Sequence, residues 1–365
     1  MLESPLAPYL LWAKTRRPAP VDLAGSNLLA CSIEDLPGAR DAVDVTAAND
    51  NGYAPLVESI AAHYGIDPPR VVPGAGCSGA NFIAIAALVG AGDDVLVERP
   101  AYDPLAGACR LLGARVRHVD RRFEDGYRLD PDAVEAALTP RTRLVILTSP
   151  HNPSGCVPEP AALAAVGALM APRGWVLVDE VYLDAANLVA GRPPTHGSAA
   201  HLDGPFLVTS SLTKSYGLAG LKCGWTVASR NNAERLRRTR DLVENAGSAP
   251  ADRLGAHAFA CLDRLAERAR DLVARNHAQA RALFDAQPGL TLAAPIRSSI
   301  AFPRVAGFPD GDAFAEELLE TEGVAVAPGS FFGEPANVRI SLAGHPDTIA
   351  EGLDRIGRFL TTHQS

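Results

Sequence analysis

The sequence predicts an α/β fold in which a mostly parallel sheet carries helices on both faces, together with a smaller α+β domain. From about residue 70 to 230, short β-branched runs alternate with alanine-rich segments that have helical spacing. Such alternation is typical of parallel strands joined by crossover helices. After about residue 290 the pattern changes to shorter elements, which indicates a second lobe. We expect a large domain at 45–262 and a small domain built from 1–44 and 263–365.

The predicted strands of the large domain are mostly continuous apolar runs, which indicates burial on both faces of the sheet. They are expected at Val95–Val97, Arg115–Val119, Leu144–Leu147, Trp175–Val178, Phe206–Thr209 and Gly224–Ala228, with helices at Pro104–Leu112, Asp130–Leu138 and Glu159–Met170. Residues 252–287 should form one or two long helices that link the lobes. In the second lobe we expect strands at Ser298–Phe302 and Val338–Leu342, and helices at Asp312–Glu322 and Pro346–Leu360.

Composition and charge exclude several classes of protein. The chain carries 34 basic and 42 acidic side chains, and the net charge of −8 argues against a nucleic-acid-binding surface. The most apolar stretch, Phe82–Val89, is too short to span a bilayer, and the N-terminus lacks the features of a secretory signal. The cysteines include no C-x-x-C pair, which favours reduced thiols. We therefore expect a cytoplasmic protein with no nucleic-acid or membrane partner.

Chemically distinct side chains follow four of the predicted strands. Tyr102 and Asn152 follow two of them, Asp179 and Tyr182 follow a third, and Lys214 follows a fourth. Because ligands bind outside the carboxyl ends of the strands in open α/β sheets, we expect these groups to share one site. Each alone has an ordinary explanation, such as a turn residue or a solvated lysine. The prediction depends on their occurring together.

These groups match the chemical needs of pyridoxal phosphate. The amine of Lys214, if partly unprotonated near neutral pH, can form a Schiff base with the cofactor's aldehyde. A buried carboxylate, here Asp179, keeps the pyridine nitrogen protonated so that the ring accepts electrons. Tyr182 and Asn152 are candidate donors to the ring's phenolic oxygen, and Tyr102 is a candidate stacking partner.

Candidate ligands for the cofactor's phosphate come from two further segments. Ser211 supplies a hydroxyl, and Lys222 supplies a cation eight residues after Lys214. The turn Gly76–Gly79 precedes a predicted helix, and a helix N-terminus favours an anion. The sequence therefore predicts that hydroxyl, cation and helix end meet at one phosphate.

The chain resembles the class I/II pyridoxal-phosphate aminotransferases of fold type I, in the aspartate aminotransferase superfamily. Matching segments occur in the family's order over nearly the whole chain: Asn51–Leu56, Gly74–Ala80, Pro100–Tyr102, Ser149–Gly155, Asp179–Tyr182, Ser211–Lys222, Val326–Gly333 and Asn337–Leu342. The resemblance implies that Lys214 is the catalytic lysine, assisted by Asp179 and Tyr182. It also implies that the backbone N–H groups of Cys77 and Ser78 bind the phosphate.

The resemblance further implies an activity and a substrate clamp. Arg339 is expected to bind the substrate's α-carboxylate with its two-pronged guanidinium, with Asn152 beside it and a backbone donor from Gly25. The implied reaction moves an α-amino group between an amino acid and a 2-oxo acid, in a homodimer with active sites near the interface. The substrate side chain is left open. Candidates for binding a second carboxylate are Arg16, Arg17 and Arg297.

Two positions differ from the family's pattern. Many members have a tyrosine that reaches the partner subunit's phosphate, and its position falls near Ala47 in this chain. We expect Asn49 or Tyr53 to make that contact, or the contact to be missing. Lys222 stands where many members have arginine, which keeps the positive charge.

Three alternative functions compete with transamination. A β-lyase or a biosynthetic amino-acid cyclase or synthase would use the same residues around the cofactor ring. A ligand-sensing lobe of a transcription regulator would need a DNA-binding module, and nothing basic or helix-turn-helix-like precedes residue 20. The segment Gly74–Gly79, with Glu98 further on, also fits the dinucleotide fingerprint G-x-G-x-x-G. Against it, Pro73 is expected to interrupt the preceding strand, and Lys214 would have no role.

Overall fold

The computed structural model describes residues 7–46, 49 and 51–363. In chain order the strands are β1 (Val21–Asp22), β2 (Val71–Ala75), β3 (Asp94–Arg99), β4 (Arg115–Asp120), β5 (Thr142–Thr148), β6 (Trp175–Asp179), β7 (Phe206–Ser211), β8 (Cys223–Val227), β9 (Leu290–Thr291), β10 (Ile300–Ala301), β11 (Arg304–Val305), β12 (Val324–Ala325), β13 (Ala327–Pro328) and β14 (Val338–Ser341). The α-helices are α1 (Pro8–Thr15), α2 (Ala39–Ala42), α3 (Ala54–Tyr64), α4 (Gly76–Leu88), α5 (Asp103–Leu111), α6 (Pro131–Ala137), α7 (Pro160–Met170), α8 (Leu183–Val189), α9 (Leu212–Tyr216), α10 (Arg230–Asp241), α11 (Ala249–Ala260), α12 (Leu262–Ala286), α13 (Gly311–Thr321) and α14 (Pro346–His363).

Within these residues, one seven-stranded sheet has the order β2-β8-β7-β6-β5-β3-β4. The strands β3 to β7 run parallel, whereas β8 is antiparallel to both β7 and β2. Along β5, Val145 and Leu147 pack into the apolar cluster on one face, and Leu144 and Ile146 pack into the cluster on the other. This period of two shows that both faces are covered. The predicted α/β fold with a mostly parallel sheet is confirmed.

The expectation that Pro73 interrupts the strand before Gly74 is wrong. β2 runs through Pro73, which pairs with Trp225 of β8 at the edge of the sheet. An edge strand tolerates proline because it needs no second row of N–H donors. Since β2 is antiparallel to its only neighbour in the sheet, Gly74–Gly79 does not lie in a parallel βαβ unit. The dinucleotide interpretation therefore fails because β2 is antiparallel to its neighbour, and not because Pro73 interrupts the strand.

The second lobe contains short strands and two helices. β14 pairs antiparallel with β10 and β13, while β1 pairs parallel with β12. The strand expected at Ser298–Phe302 pairs only over Ile300–Ala301. The hydroxyl of Ser298 accepts from the N–H of Ile300 at 3.4 Å, and Pro303 has no N–H to extend the ladder. The helical segment after residue 249 divides at Cys261 into α11 and α12.

We propose that the chain divides into 45–262 and a second domain of 1–44 with 263–365. Val21 and Leu23 belong to the second lobe's apolar cluster. Leu28 and Leu36, in the same N-terminal segment, pack into the large domain's cluster, so this segment bridges the two lobes. Among the described residues, no helix combines the length and the apolar character needed to cross a membrane, and no cluster of side chains could hold a metal ion.

Gly224→Ala should reduce the free energy of unfolding by about 1–3 kcal/mol, because it forces atoms into an occupied space. A Cβ at Gly224 would lie 2.2 Å from the carbonyl carbon of Gly76, where α4 begins. The measurement is chemical denaturation. Gly220→Ala is the matched control, since no atom lies within 4 Å of the position that its new methyl group would take. Equal effects of the two substitutions would contradict the close approach of β8 to α4.

Candidate active site

The predicted site residues meet in one cavity at the carboxyl ends of the parallel strands. Its volume is about 370 Å³. Of the eleven residues that the sequence analysis assigned to the cofactor or substrate, all but Arg339 line it: Gly25, Cys77, Ser78, Tyr102, Asn152, Asp179, Tyr182, Ser211, Lys214 and Lys222. Arg339 is buried behind the wall, where its Nη1 donates to Oδ1 of Asn152 at 3.2 Å.

Lys214 lies in α9, the short helix that begins directly after β7. The hydroxyl of Ser211 accepts from the N–H of Thr213 and starts the helix. The Nζ atom donates to Oγ of Ser26 at 2.9 Å and to Oδ1 of Asn27 at 2.6 Å. Burial, and then the positive charge of Arg339, lower the pKa of Lys214 to about 7. A substantial fraction of the amine is therefore unprotonated, and nucleophilic, at neutral pH.

Asp179 is the last residue of β6 and is buried. Its Oδ1 accepts from the backbone N–H of Val181 at 3.1 Å and from Sγ of Cys77 at 3.3 Å. Its Oδ2 accepts from Nδ2 of Asn81 at 2.7 Å. Burial raises the pKa of Asp179, while these donors and the charge of Lys214 oppose the increase. The donors stabilise the ionised form, which is the form that pairs with a protonated ring nitrogen.

The N-terminus of α4 forms one end of the cavity. The helix begins at Gly76, whose φ of 71° places it in the left-handed region that glycine tolerates. Cys77 and Ser78 follow in the first turn, where backbone N–H groups have no partner within the helix. Lys222 is exposed beside this turn, and Ser211 is buried at the end of β7. N–H groups, a cation and a hydroxyl suit a phosphate dianion.

Aromatic and amide groups form the remaining walls. Tyr102 directly precedes α5 and is half-buried. Tyr182 is buried, which raises the pKa of its phenol to about 12, and so the hydroxyl remains a donor at physiological pH. The backbone N–H of Asn152 donates to Oγ1 of Thr148 at 2.9 Å, which fixes the turn that carries the amide.

Arg339 is a buried cation that forms no ion pair with a carboxylate of the described residues. Nη2 donates to the phenolic oxygen of Tyr9 at 2.5 Å and to the carbonyl of Ala24 at 3.1 Å. Its Nε has no hydrogen-bond partner among the described residues, and none of their carboxylates lies within ion-pair distance. The guanidinium carbon lies 4.9 Å from the ring centre of Tyr9 and 4.7 Å from that of Phe332. Such an unpaired charge favours an anionic ligand.

Sequence analysis missed the residues that hold the predicted ones in place. Ser26 and Asn27 bind the amine of Lys214, and Tyr9 binds Arg339, across very long sequence separations. Asn81 was also missed, although the sequence contains a signal for it: it is the polar residue in the otherwise apolar run Ala80–Leu88. A lone amide in such a run indicates a buried hydrogen-bond partner.

Other predicted positions lie elsewhere or outside the described residues. Ala47 lies outside them. Asn49 donates to Asp252 at 2.6 Å, and the ring of Tyr53 lies 4.3 Å from the guanidinium carbon of Arg253. The candidates for a second carboxylate do not line the cavity: Arg16 pairs with Asp22, Arg297 lines a different groove, and Arg17 is exposed.

The donor set fits pyridoxal phosphate on the observations of this structure. A weakly basic lysine amine and an ionisable carboxylate share one cavity with a helix N-terminus and a lysine. The carboxylate's donors leave it able to accept one further N–H, and the amine lies 5.9 Å from the ring centre of Tyr182. Fold and site together define a pyridoxal-phosphate-dependent enzyme.

Comparisons with known proteins agree. The family model described as aminotransferase class I and II matches residues 26–356. The chain belongs to this family, and its cofactor is pyridoxal 5'-phosphate.

Individual relatives catalyse more than one kind of reaction. The capreomycidine synthase of Streptomyces vinaceus is 33% identical over 79% of this chain and 74% of that protein. The structure of N-succinyldiaminopimelate aminotransferase from Mycobacterium tuberculosis has a TM-score of 0.86 and 29% identity, over 98% of this chain and 100% of that one. The PLP-dependent cyclase OrfR has a TM-score of 0.85 and 26% identity, over 99% and 98% of the two chains.

Attachment of the cofactor to the cofactor-free protein should become faster as pH rises through about 7, the pKa of Lys214. The unprotonated amine is the reactive form, so a raised pKa moves this midpoint upward. Arg339→Leu removes a neighbouring positive charge and should raise the midpoint by about one pH unit. Arg339→Lys keeps the charge and is the matched control. The measurement is the absorbance change on adding pyridoxal phosphate, and an unchanged midpoint in Arg339→Leu would refute the electrostatic coupling.

Proposed function

We propose that this protein is an aminotransferase that moves an α-amino group between an amino acid and a 2-oxo acid. The observation that carries this proposal is that two groups occur at one cavity. They are Lys214, whose pKa is about 7, and the guanidinium of Arg339, whose Nε has no partner among the described residues. An α-amino acid presents an amine and a carboxylate on one carbon. A site that holds the carboxylate at Arg339 places the amine and the Cα proton beside Lys214.

Pyridoxal phosphate, when bound, supplies an aldehyde that condenses with amines and a ring that withdraws electrons from the attached carbon. Lys214 is the residue that would hold this aldehyde, and its amine would move the Cα proton as base and then as acid. Ser26 and Asn27, which already bind Nζ, orient the free amine for this transfer. Asp179 holds a proton on the ring nitrogen.

The other residues hold and orient the two ligands. Tyr182 and Asn152 would donate to the ring's phenolic oxygen, and Tyr102 would stack on the ring. The backbone N–H groups of Cys77 and Ser78, the hydroxyl of Ser211 and the cation of Lys222 would bind the phosphate. Gly25, at the cavity wall, adds a backbone donor to the substrate's carboxylate.

A cyclase or synthase acting through the same cofactor is the second candidate. The observation that favours it is the 33% identity with capreomycidine synthase, together with the structural likeness to the cyclase OrfR. A β-lyase shares the same cofactor site. All these reactions begin with removal of the Cα proton, so they share the roles given to Lys214 and Asp179 and differ in the group that leaves afterwards.

The helix α1 forms the wall that faces the substrate's side chain. Its contributions to the cavity are Tyr9, Leu10, Ala13 and Lys14, and Asn27 lines the same cavity. Among the described residues that line the cavity, Asp179 is the acidic one, and its carboxylate would pair with the cofactor's ring nitrogen. A substrate side chain in this wall therefore meets a cation and apolar surface, which favours neutral or acidic substrates.

A homodimer accounts for the exposed apolar surface next to the phosphate end of the cavity. A second groove shares Ala75 and Lys222 with the cavity and is also lined by Arg240 and Glu244. Between these two residues, Leu242 is 87% exposed and Val243 is 53% exposed. A partner covering this face would bury them and close the phosphate site.

A cytoplasmic location is consistent with the six free cysteines.

The deciding experiment incubates the purified holoenzyme with single amino acids in the absence of an acceptor. An aminotransferase converts its bound cofactor stoichiometrically to the amine form and releases a 2-oxo acid, and a second 2-oxo acid restores the starting absorbance. Lys214→Ala should abolish this conversion and the borohydride-reducible linkage, whereas the control Lys14→Ala retains the linkage. Turnover without any amine form, with loss of a β-substituent or ring closure, would replace the proposal by its rival.

Arg339→Lys should raise KM for the amino-acid substrate about ten- to hundredfold, with little change in kcat. Lysine keeps the charge but cannot bind both carboxylate oxygens, and a hydrogen bond to a charged group contributes about 1.5–3 kcal/mol. The carboxylate is bound equally before and during the reaction, so the effect falls on KM. Arg304→Lys is the control, since that guanidinium also stacks on a ring, 3.8 Å from the centre of Phe123, outside the cavity. An unchanged KM would exclude Arg339 as the clamp.

A further inference from the structure

A buried amide connects β7 to the carboxylate of Asp179. Asn81 lies on α4, one turn after Cys77, and both side chains contact Asp179. Nδ2 of Asn81 is 2.7 Å from Oδ2 of Asp179, and Oγ1 of Thr209 is 2.6 Å from Oδ1 of Asn81. The exposed fractions of Asn81, Asp179 and Thr209 are 5%, 6% and 0% respectively. All three side chains are therefore largely shielded from bulk water.

The chemistry of the groups fixes the direction of each hydrogen bond. An ionised carboxylate only accepts, so the amide nitrogen of Asn81 faces Asp179 and the amide oxygen faces away. That oxygen accepts the hydroxyl proton of Thr209. Thr209 is the residue on β7 that is paired with Asp179 of β6, which places both side chains on the face that α4 covers. Thr209 thus prevents the amide of Asn81 from turning its oxygen toward the carboxylate.

We propose that Asn81, oriented by Thr209, is a positioning residue that keeps Asp179 ionised and directed into the cavity, and thereby keeps the proton on the cofactor's ring nitrogen. The inference rests on the role proposed above for Asp179. A purely structural amide would stabilise the fold equally whether or not Asp179 carried a charge. A positioning amide changes how Asp179 responds to pH.

The sign of the expected change follows from the groups that face Asp179. Burial raises its pKa, whereas the donors Asn81 and Cys77 and the cation of Lys214 lower it. Glu180, Tyr182 and Tyr102 are the other titratable groups that interact with it. Removing the Asn81 donor destabilises the carboxylate and raises its pKa further. Because a protonated Asp179 cannot pair with a ring N–H, cofactor affinity is lost at a higher pH than in the wild-type protein.

The test measures the dissociation constant of pyridoxal phosphate as a function of pH, without any turnover. Asn81→Leu removes the amide at similar volume, and Thr209→Val removes the hydroxyl at nearly identical shape. Both should raise the pH at which affinity is lost by about one unit, which corresponds to about tenfold weaker binding on the acid side. Thr209→Ser keeps the hydroxyl and should restore wild-type behaviour.

Two further variants separate the explanations. Asn276→Leu removes a buried amide that bonds the carbonyls of Leu342 and Gly344 in the other lobe, and should leave the pH profile unchanged. Asp179→Asn should weaken binding and abolish the acid-side loss. The inference is overturned if Asn81→Leu and Thr209→Val keep the wild-type midpoint, or if Asn276→Leu or Thr209→Ser shifts it equally. A wild-type profile in Asp179→Asn would instead refute the role proposed for Asp179.

Discussion

Two cations, Lys214 in the cavity wall and Arg339 buried behind it, outnumber the one lining carboxylate, Asp179, and the rest of the site depends on this imbalance. Burying an unpaired charge is costly, and the two cations respond differently. Burial and the charge of Arg339 lower the pKa of Lys214 to about 7, so this lysine can release its proton. Arginine cannot do so and stays charged, so Arg339 has no anionic partner among the described residues until an anion binds. The same field that makes Lys214 nucleophilic therefore also attracts a substrate carboxylate.

The helix α4 contributes to the site through its end and through its side. Its N-terminal residues Gly76, Cys77 and Ser78 line the cavity. The side chains of Cys77, in its first turn, and of Asn81, one turn further on, both contact Asp179. The close contact of Gly224 with Gly76 sets the position of the helix against β8. One helix thus carries both the N-terminus proposed to bind the phosphate and the side chains that hold Asp179, the proposed partner of the ring nitrogen.

The sequence predicted the parts of this site that depend on local patterns. Asp179 and Lys214 each follow a continuous apolar run, and a side chain after such a run lies at the sheet's carboxyl edge. Ser26 and Tyr9 follow no such run, because the N-terminal segment reaches the site only through packing between lobes. Pro73 was misjudged for a related reason: whether a strand lies at an edge is decided by its neighbours, which local sequence does not specify.

The carboxylate clamp is linked to α1 through Tyr9. A carboxylate bound by two oxygens needs two adjacent N–H groups of Arg339, and the unpartnered Nε lies next to Nη2, which already donates to Tyr9. The phenolic oxygen thus occupies a position that a carboxylate oxygen would take if it bound across Nε and Nη2. Tyr9 is also held by Asp103, whose carboxylate accepts its backbone N–H at 2.8 Å. The same helix contributes Leu10, Ala13 and Lys14 to the cavity, so the proposed sites for the substrate's carboxylate and for its side chain share one element.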